Sequence, residues 1–163
     1  MKCLKKDSNV FFSGGWDSTV QIWDVRSPQG SVRKICGPSI SSDSLDIKGN
    51  ELLVGNYKNT DIVQLYDFGS GQLVKTLDIG EEANSISYCL SAVYDHKSDS
   101  RLIGVALSGS NRVKILKDNL LIGELKFQAA PFSVDFYQFN KKDFMVVGGA
   151  EGTIYCFKID IHP

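Results

Sequence analysis

The chain has 163 residues, enough for one ordinary domain, and its 42% hydrophobic and 23% charged residues are near globular averages. This composition argues against a disordered chain, and no apolar run approaches the roughly 18 to 20 residues that cross a bilayer. The net charge of −1 offers no electrostatic footprint for a nucleic-acid backbone. We therefore expect neither nucleic acid nor a membrane as a partner.

Residues 10–24 predict two strands joined by a tight turn. The turn, Ser13-Gly14-Gly15-Trp16-Asp17, combines glycines, which accept positive φ, with an aspartate that can bond its own backbone. Apolar and polar residues then alternate over residues 19–24 with the two-residue period of a pleated strand. A β-hairpin is the structure that this stretch predicts.

The same unit recurs along the chain. Equivalent aliphatic residues, Val20, Val63, Val113 and Ile154, are separated by 43, 50 and 41 residues. A turn of small residues precedes each of them: Gly14-Gly15, Gly55-Asn56, Ser108-Gly109-Ser110 and Gly148-Gly149. Two features that recur together, at spacings close to about 40 to 45 residues, indicate a repeat architecture.

The spacing predicts an all-β meander of fifteen short strands and no helix. The first three units hold four strands each and the last holds three, in one domain divided at about residues 1–37, 38–79, 80–128 and 129–163. Predicted strands include Val10–Gly14, Thr19–Asp24, Glu51–Gly55, Ser85–Val93 and Arg112–Lys117. A turn is predicted at Asn140-Lys141-Lys142-Asp143.

The unit resembles the WD40 repeat, a four-stranded propeller blade, because its third strand ends in Trp23-Asp24. The resemblance covers essentially the whole chain, although Tyr66, Leu116 and Phe157 replace the tryptophan in later units. It implies a partial WD40-like β-propeller of about four blades. The short first strand and the missing last strand further imply the C-terminal half of a larger propeller, from a longer native chain. A partner chain or a second copy are the alternative ways to cover the exposed edges.

The resemblance also implies structural roles for Ser13, Asp17 and Trp23. In the WD40 family these residue types join a histidine in a buried hydrogen-bond network, but this sequence has no histidine at the matching place. Without a histidine base, the Ser13 and Asp17 pair is not expected to form a hydrolase site. We expect the later units to keep the apolar packing and lose the polar network, and His96 to be an ordinary exposed loop histidine.

Trp16 and Tyr57 are the candidate partner-binding residues. Trp16 precedes the turn aspartate, at a position that in WD40 propellers lies on the rim where partners bind, and Tyr57 is its counterpart in the next unit. Tryptophan and tyrosine are enriched in binding hot spots. The competing interpretation is that Trp16 only packs on the loop of a neighbouring blade.

For the whole chain, the resemblance implies a non-catalytic scaffold for protein–protein interaction within a multi-subunit assembly. Such platforms serve ubiquitin ligases, cytoskeletal and ciliary assemblies, trafficking coats and RNA-processing machines, and the sequence does not choose among them. One alternative is a ligand-binding or enzymatic site in the central channel, with Asp46, Glu51 and Asp135 as candidate carboxylates. Another is a structural half-propeller, completed by a partner chain, whose open faces are apolar.

No metal or cofactor is expected. Zinc ligands stand a few residues apart, whereas Cys3, Cys36, Cys89 and Cys156 are scattered. Gly69-Ser70-Gly71-Gln72 lacks the spacing and the lysine of a nucleotide-binding P-loop. Residues 1–7 lack the apolar core of a signal peptide, so we expect a cytoplasmic protein with reduced cysteines packed in its strands. A cytoskeletal or ciliary assembly is the expected setting, and a nuclear location is the alternative.

Overall fold

The fold is that of an all-β protein. A computed structural model of the chain describes residues 1–80, 86–97 and 101–160. Within these ranges it contains fifteen β-strands and one 3₁₀ turn at Ala150–Gly152, with no α-helix. The described residues also include no helix of the length and apolarity needed to span a membrane. The predicted fold class is confirmed.

The described strands form four antiparallel meanders, in each of which every strand pairs with its neighbour in sequence. Sheet 1 contains β1 (Lys2–Cys3), β2 (Val10–Gly14), β3 (Thr19–Asp24) and β4 (Ser31–Cys36). Sheet 2 contains β5 (Leu45–Lys48), β6 (Glu51–Gly55), β7 (Val63–Asp67) and β8 (Leu73–Thr76). Sheet 3 contains β9 (Tyr88–Tyr94), β10 (Leu102–Ser108), β11 (Arg112–Lys117) and β12 (Leu120–Lys126). Sheet 4 contains β13 (Pro131–Phe139), β14 (Lys142–Gly149) and β15 (Ile154–Ile159).

Several predicted boundaries differ from the structure, including the following two. Strand β9 begins at Tyr88 and not at Ser85, and Ser85 itself lies outside the described residues. The four-residue turn predicted at residues 140–143 is wrong, because β14 already begins at Lys142. Asn140 and Lys141 have φ of 50° and 59°, so they form the two-residue type I′ turn that matches the twist of paired strands. The division of the chain into units at residues 37, 79 and 128 stays a prediction.

Consecutive sheets pack face to face through apolar clusters. Because side chains alternate between the two faces of a strand, one sheet can pack against a neighbouring sheet on each of its faces. The cluster between sheets 1 and 2 includes Phe12, Val20, Ile22, Leu52 and Tyr66. The cluster between sheets 2 and 3 includes Leu53, Val63, Leu65, Ile103 and Leu116. The cluster between sheets 3 and 4 includes Val93, Ala106, Val113, Val134 and Met145.

The first strands of the four sheets lie around one open cleft of about 450 Å³, which we call the inner cleft. Residues of β1, β5, β9 and β13 line it, together with Val146, Gly148 and Ile154 of β14 and β15. A parallel bridge between Asp43 and Ser91 joins the segment before β5 to β9 at this edge. The inner cleft therefore corresponds to the channel side of the sheet array.

Candidate protein-interaction site

Three aromatic side chains from consecutive sheets form a continuous stack, which we call the aromatic ladder. Trp16 stacks on Tyr57 with ring centroids 5.8 Å apart and planes 10° apart. Tyr57 stacks on Tyr88 with centroids 4.7 Å apart and planes 24° apart. Trp16 lies in the β2–β3 turn, Tyr57 follows β6, and Tyr88 is the first residue of β9. Tyr88 was not identified from the sequence as a candidate binding residue. It is the first residue of β9, which was predicted to begin at Ser85.

Backbone hydrogen bonds hold the loops that carry the ladder. The Ile40 N–H donates to the Gly15 carbonyl (3.0 Å), next to Trp16, and the Tyr57 N–H donates to the Ser39 carbonyl (2.7 Å). The Cys89 N–H donates to the Asn56 carbonyl (3.1 Å), which ties β9 to the loop of Tyr57. The backbone segments that carry the three rings are thus tied to one another.

The ladder is ordered and yet open to solvent. Trp16 is 72% exposed and Tyr57 is 36% exposed, and Ile86, two residues before Tyr88, is also exposed. Trp16 therefore packs on the neighbouring loop and still keeps most of its surface in water. The assignment of Trp16 and Tyr57 to partner binding stays a prediction that this geometry accommodates.

Ser13, Asp17 and Trp23 do not form one network: Ser13 pairs with Trp23 across the strands, and Asp17 pairs with Thr19 at the β2–β3 turn. The indole Nε1 of Trp23 donates to Ser13 Oγ at 2.9 Å. The Asp17 carboxylate accepts bonds from Thr19, at 3.2 Å from its N–H and at 2.9 Å from its hydroxyl. Asp17 therefore closes its own turn, while Ser13 pairs with the tryptophan across the strands. The structural role of these residues stays a prediction.

Sheet 2 has a polar network that the sequence analysis did not expect. The Tyr66 hydroxyl donates to Gln64 Oε1 at 3.0 Å, and the Asn56 side-chain amide donates to the same oxygen at 2.9 Å. Asn56 is buried, and its Oδ1 accepts the Ser39 N–H at 3.1 Å. This network is built from other residue types than the WD40 network, so the expectation that the later units lose the WD40 network stays a prediction. A buried asparagine directly after the turn glycine was the available signal.

Sheet 3 carries a buried cation at the position that matches Gln64. The side chain of Lys114 is buried, and its Nζ lies 2.7 Å from Glu124 Oε2 on the next strand. The hydrogen bond and charge of Lys114 hold the pKa of the Glu124 carboxyl below its usual range. At this place sheet 3 therefore has an ion pair, where sheet 2 has hydrogen bonds between amide and hydroxyl groups.

The three candidate channel carboxylates are not brought to one site. Asp46 and Asp135 both line the inner cleft. Glu51 instead accepts hydrogen bonds from the Tyr94 hydroxyl (2.7 Å) and from Arg101 (3.0 Å), beside a second cleft of about 440 Å³. Among the described residues, no group of three histidine, cysteine, aspartate or glutamate side chains stands close enough to hold a metal ion.

His96 is not the exposed loop histidine that the sequence analysis expected. It is half-buried beside the inner cleft, with Nε2 2.9 Å from Asp46 Oδ2. Asp46 also accepts the N–H groups of Tyr94 (2.8 Å) and Ile47 (2.9 Å). Burial, the largest single effect, raises the pKa of Asp46, but these hydrogen bonds and the charge of His96 together hold it below the usual value. The carboxylate is occupied by three donors, which makes it a link between β5 and β9.

The cysteines are mostly exposed, contrary to the expectation of buried thiols. All four are free, and Cys3, Cys36 and Cys156 are exposed. Cys89 is buried between sheets 2 and 3, and burial raises the pKa of its thiol to about 12. Cys89 is therefore a packing residue with little thiolate at neutral pH.

Comparisons with known proteins match the fold and no sequence family. No protein-family model matches the chain, and no curated protein matches it. A chain in the crystal structure of the mitotic checkpoint complex superposes with a TM-score of 0.71 at 16% identity, covering 94% of this chain and 46% of that chain. A chain in the crystal structure of BBS1N in complex with ARL6DN, soaked with mercury, gives a TM-score of 0.65 at 14% identity, covering 89% and 45%.

The chain has the fold of a partial WD40-like β-propeller, as the sequence analysis predicted. It spans a little under half the length of these two solved chains. Both of those structures are structures of complexes.

Proposed function

We propose that this protein is a non-catalytic propeller scaffold that binds a protein partner through the aromatic ladder, within a multi-subunit assembly. The observation that carries the proposal is the ladder itself, in which Trp16 is 72% exposed although its ring is stacked on Tyr57. We place the assembly in the cytoplasm, with cytoskeletal and ciliary assemblies as the candidates to examine and a nuclear location as the alternative.

The side chains of the aromatic ladder are preorganised for binding. Trp and Tyr side chains offer large contact areas, and a ring that is already held by a neighbour loses little freedom when a partner covers it. Such residues dominate the free energy of many protein interfaces. The backbone bonds that fix the loops of Trp16 and Tyr57 add to this rigidity.

The other features of the molecule favour this function over chemistry in the channel. Asp46, the better-placed carboxylate of the inner cleft, already accepts three hydrogen bonds. Both solved structures that the chain resembles are structures of complexes, which supports a role in assembly. These observations support the scaffold without naming its partner.

The proposal is tested with Trp16→Ala, Tyr57→Ala and the control Val25→Ala. Val25 is 66% exposed and follows the opposite end of β3 from the turn of Trp16, so its loss leaves the ladder intact. Quantitative affinity purification is expected to recover a set of proteins with wild type and Val25→Ala that Trp16→Ala loses. With one such partner purified, Trp16→Ala is expected to raise Kd at least about tenfold, the effect of a moderate hot spot.

Circular dichroism of each variant checks that the fold is retained. If Trp16→Ala and Tyr57→Ala both keep the recovered set and the Kd of wild type while folded, the ladder is not the binding surface. The proposed function is then wrong for this site.

A further inference from the structure

The free face of sheet 4 breaks a burial pattern that the first three sheets share. Val20, Val63, Val113 and Ile154 occupy the same place in their sheets, opposite the small residue near the end of the second strand. Val20, Val63 and Val113 are fully buried because the following sheet covers them, whereas Ile154 is 75% exposed. At this position in the repeat, sheet 4 presents the same kind of side chain without its cover.

The rest of that side combines apolar with polar side chains. By strand alternation Ile154 shares it with Tyr137, Phe144, Val146 and Cys156, and also with Ser133, Asp135, Gly148 and Lys158. Tyr137 stacks on Phe144 with ring centroids 5.0 Å apart, and its hydroxyl lies 3.3 Å from Cys156 Sγ. We call the apolar part of this side, Ile154, Tyr137, Phe144, Val146 and Cys156, the sheet 4 face.

Sheet 1 presents a complementary free face. Trp23 has the same place in its sheet as Tyr66 in sheet 2 and Leu116 in sheet 3, and both of those pack on the preceding sheet. Trp23 stacks on Phe11 with centroids 5.9 Å apart, and by alternation Val32 lies on the same side, together with the polar residues Ser13, Gln21 and Lys34. We call Phe11, Trp23 and Val32 the sheet 1 face. In sheets 2 and 3 the equivalent face packs on the preceding sheet.

We propose that the sheet 4 face of one copy of this chain packs against the sheet 1 face of a second copy. This junction repeats the sheet-to-sheet contact that is made three times within the described structure, so it continues the same stack of sheets from one copy into the next. A contact between two different faces of identical chains makes a closed ring or an open filament. When two copies are related by a two-fold axis along the channel, the junction forms twice. The two free faces of each copy are then covered, and the pair forms a ring of eight sheets.

This proposal goes beyond the proposed function and does not depend on it. The aromatic ladder lies on the turns and loops at the ends of strands, whereas the two faces lie on the flat sides of sheets 1 and 4. Variants of the ladder and variants of the faces therefore separate the two proposals.

The test is the mass of the purified chain by light scattering coupled to size exclusion. Wild type and the control Leu120→Asp are expected to be dimeric, because Leu120 is exposed at the start of β12 and lies on neither face. Ile154→Asp and Val32→Asp each place a charge in both junctions of the ring. Each is expected to be monomeric at concentrations more than tenfold above the wild-type Kd, with an unchanged circular dichroism spectrum.

Mixing the two monomeric variants tests which faces meet. One junction then joins an intact sheet 4 face to an intact sheet 1 face, so a dimer is expected to reappear in the mixture. A monomeric wild type overturns the proposal, and so does a wild-type dimer that survives Ile154→Asp. If Val32→Asp stays dimeric, the contact joins two sheet 4 faces. If wild type forms a series of larger oligomers, the chains form a filament. Either result overturns the closed ring.

Discussion

Asp46 shows at the residue scale how a charged group is kept in the interior of this protein. It is buried at the edge where β5 meets β9, and its donors come from its own strand, from Tyr94 and from His96. A buried carboxylate is tolerated when hydrogen bonds satisfy it, and those bonds favour the ionised form. The Lys2–Asp43 ion pair (3.1 Å), Lys5 and Asp135 are the other charged groups at the inner cleft.

Replacing Asp46 with asparagine tests this arrangement through pH. The pKa of Asp46 is lower in the folded state than its ordinary value of 3.8, so the unfolded chain takes up the proton first as pH falls. The stability that the carboxylate contributes is therefore full at neutral pH and is lost as pH falls below about 4. Asp46→Asn is expected to lower the free energy of unfolding by about 1 to 3 kcal/mol at pH 7 and by less at pH 3.

Urea denaturation between pH 7 and pH 3 measures the effect. Asp118→Asn is the matched control, since Asp118 is exposed and asparagine suits its φ of 50°. It is expected to change stability little at any pH. A difference between wild type and Asp46→Asn that stays constant with pH would show that the charge of Asp46 does not matter.

Strand β6 shows at the element scale how closely two sheets approach. A Cβ on Gly55, the last residue of β6, would lie 2.2 Å from Cys89 Sγ and 2.9 Å from the Ser44 Cβ. Gly55 therefore acts as a spacer between β6 and β9 as well as a turn residue. Only its turn role was recognisable from the sequence, because Cys89, the residue that it must avoid, lies in another unit.

Gly55→Ala is expected to destabilise the protein by about 1 to 3 kcal/mol, the usual cost of overpacking. Gly123→Ala is the control, since Gly123 lies within β12 and a Cβ there meets nothing within 4 Å. It is expected to leave stability unchanged or raise it slightly. Denaturant midpoints measure both, and adding Cys89→Ala to Gly55→Ala is expected to restore part of the loss. No rescue by the second substitution would argue against the clash with the sulfur.

At the scale of the whole molecule, the sheets differ in how well they are covered. Sheets 2 and 3 pack on a neighbour at both faces, whereas sheets 1 and 4 do so at one face within the described structure. Stability in repeat proteins is largely a sum of the units and of the contacts between neighbours. The middle of the array is therefore expected to be its most stable part.

Amide hydrogen exchange measured by mass spectrometry tests this expectation on the monomeric Ile154→Asp variant. Exchange is expected to be slowest in β6, β10 and β11 and faster in β2 and β14, because local opening is easiest where fewest apolar contacts are lost. Uniform protection across the four sheets, or the slowest exchange in sheet 4, would contradict this gradient. In wild type, protection of β14 and β15 is expected to increase with protein concentration if copies associate through the sheet 4 face.

The regular elements were predictable because their causes are local. Alternation over residues 19–24 and the glycines before it predicted β2 and β3 to the residue, and recurrence of the same unit predicted the other strands to within a few residues. Trp16 and Tyr57 were identified as candidates from their turns. Their contact with each other and with Tyr88 was not predicted, because stacking between units depends on how the sheets face one another.

The sequence by itself determined the meander, the number of units and the strands' apolar faces, since each follows from the order of neighbouring residues. The tertiary structure alone decided which distant side chains meet. It brought His96 to Asp46, 50 residues away along the chain, and separated Glu51 from the other two carboxylates. It also left Ile154 in solvent where three equivalent residues are buried. The physical reason is that burial and pairing are set by the packing of one sheet on the next, which short-range sequence patterns do not encode.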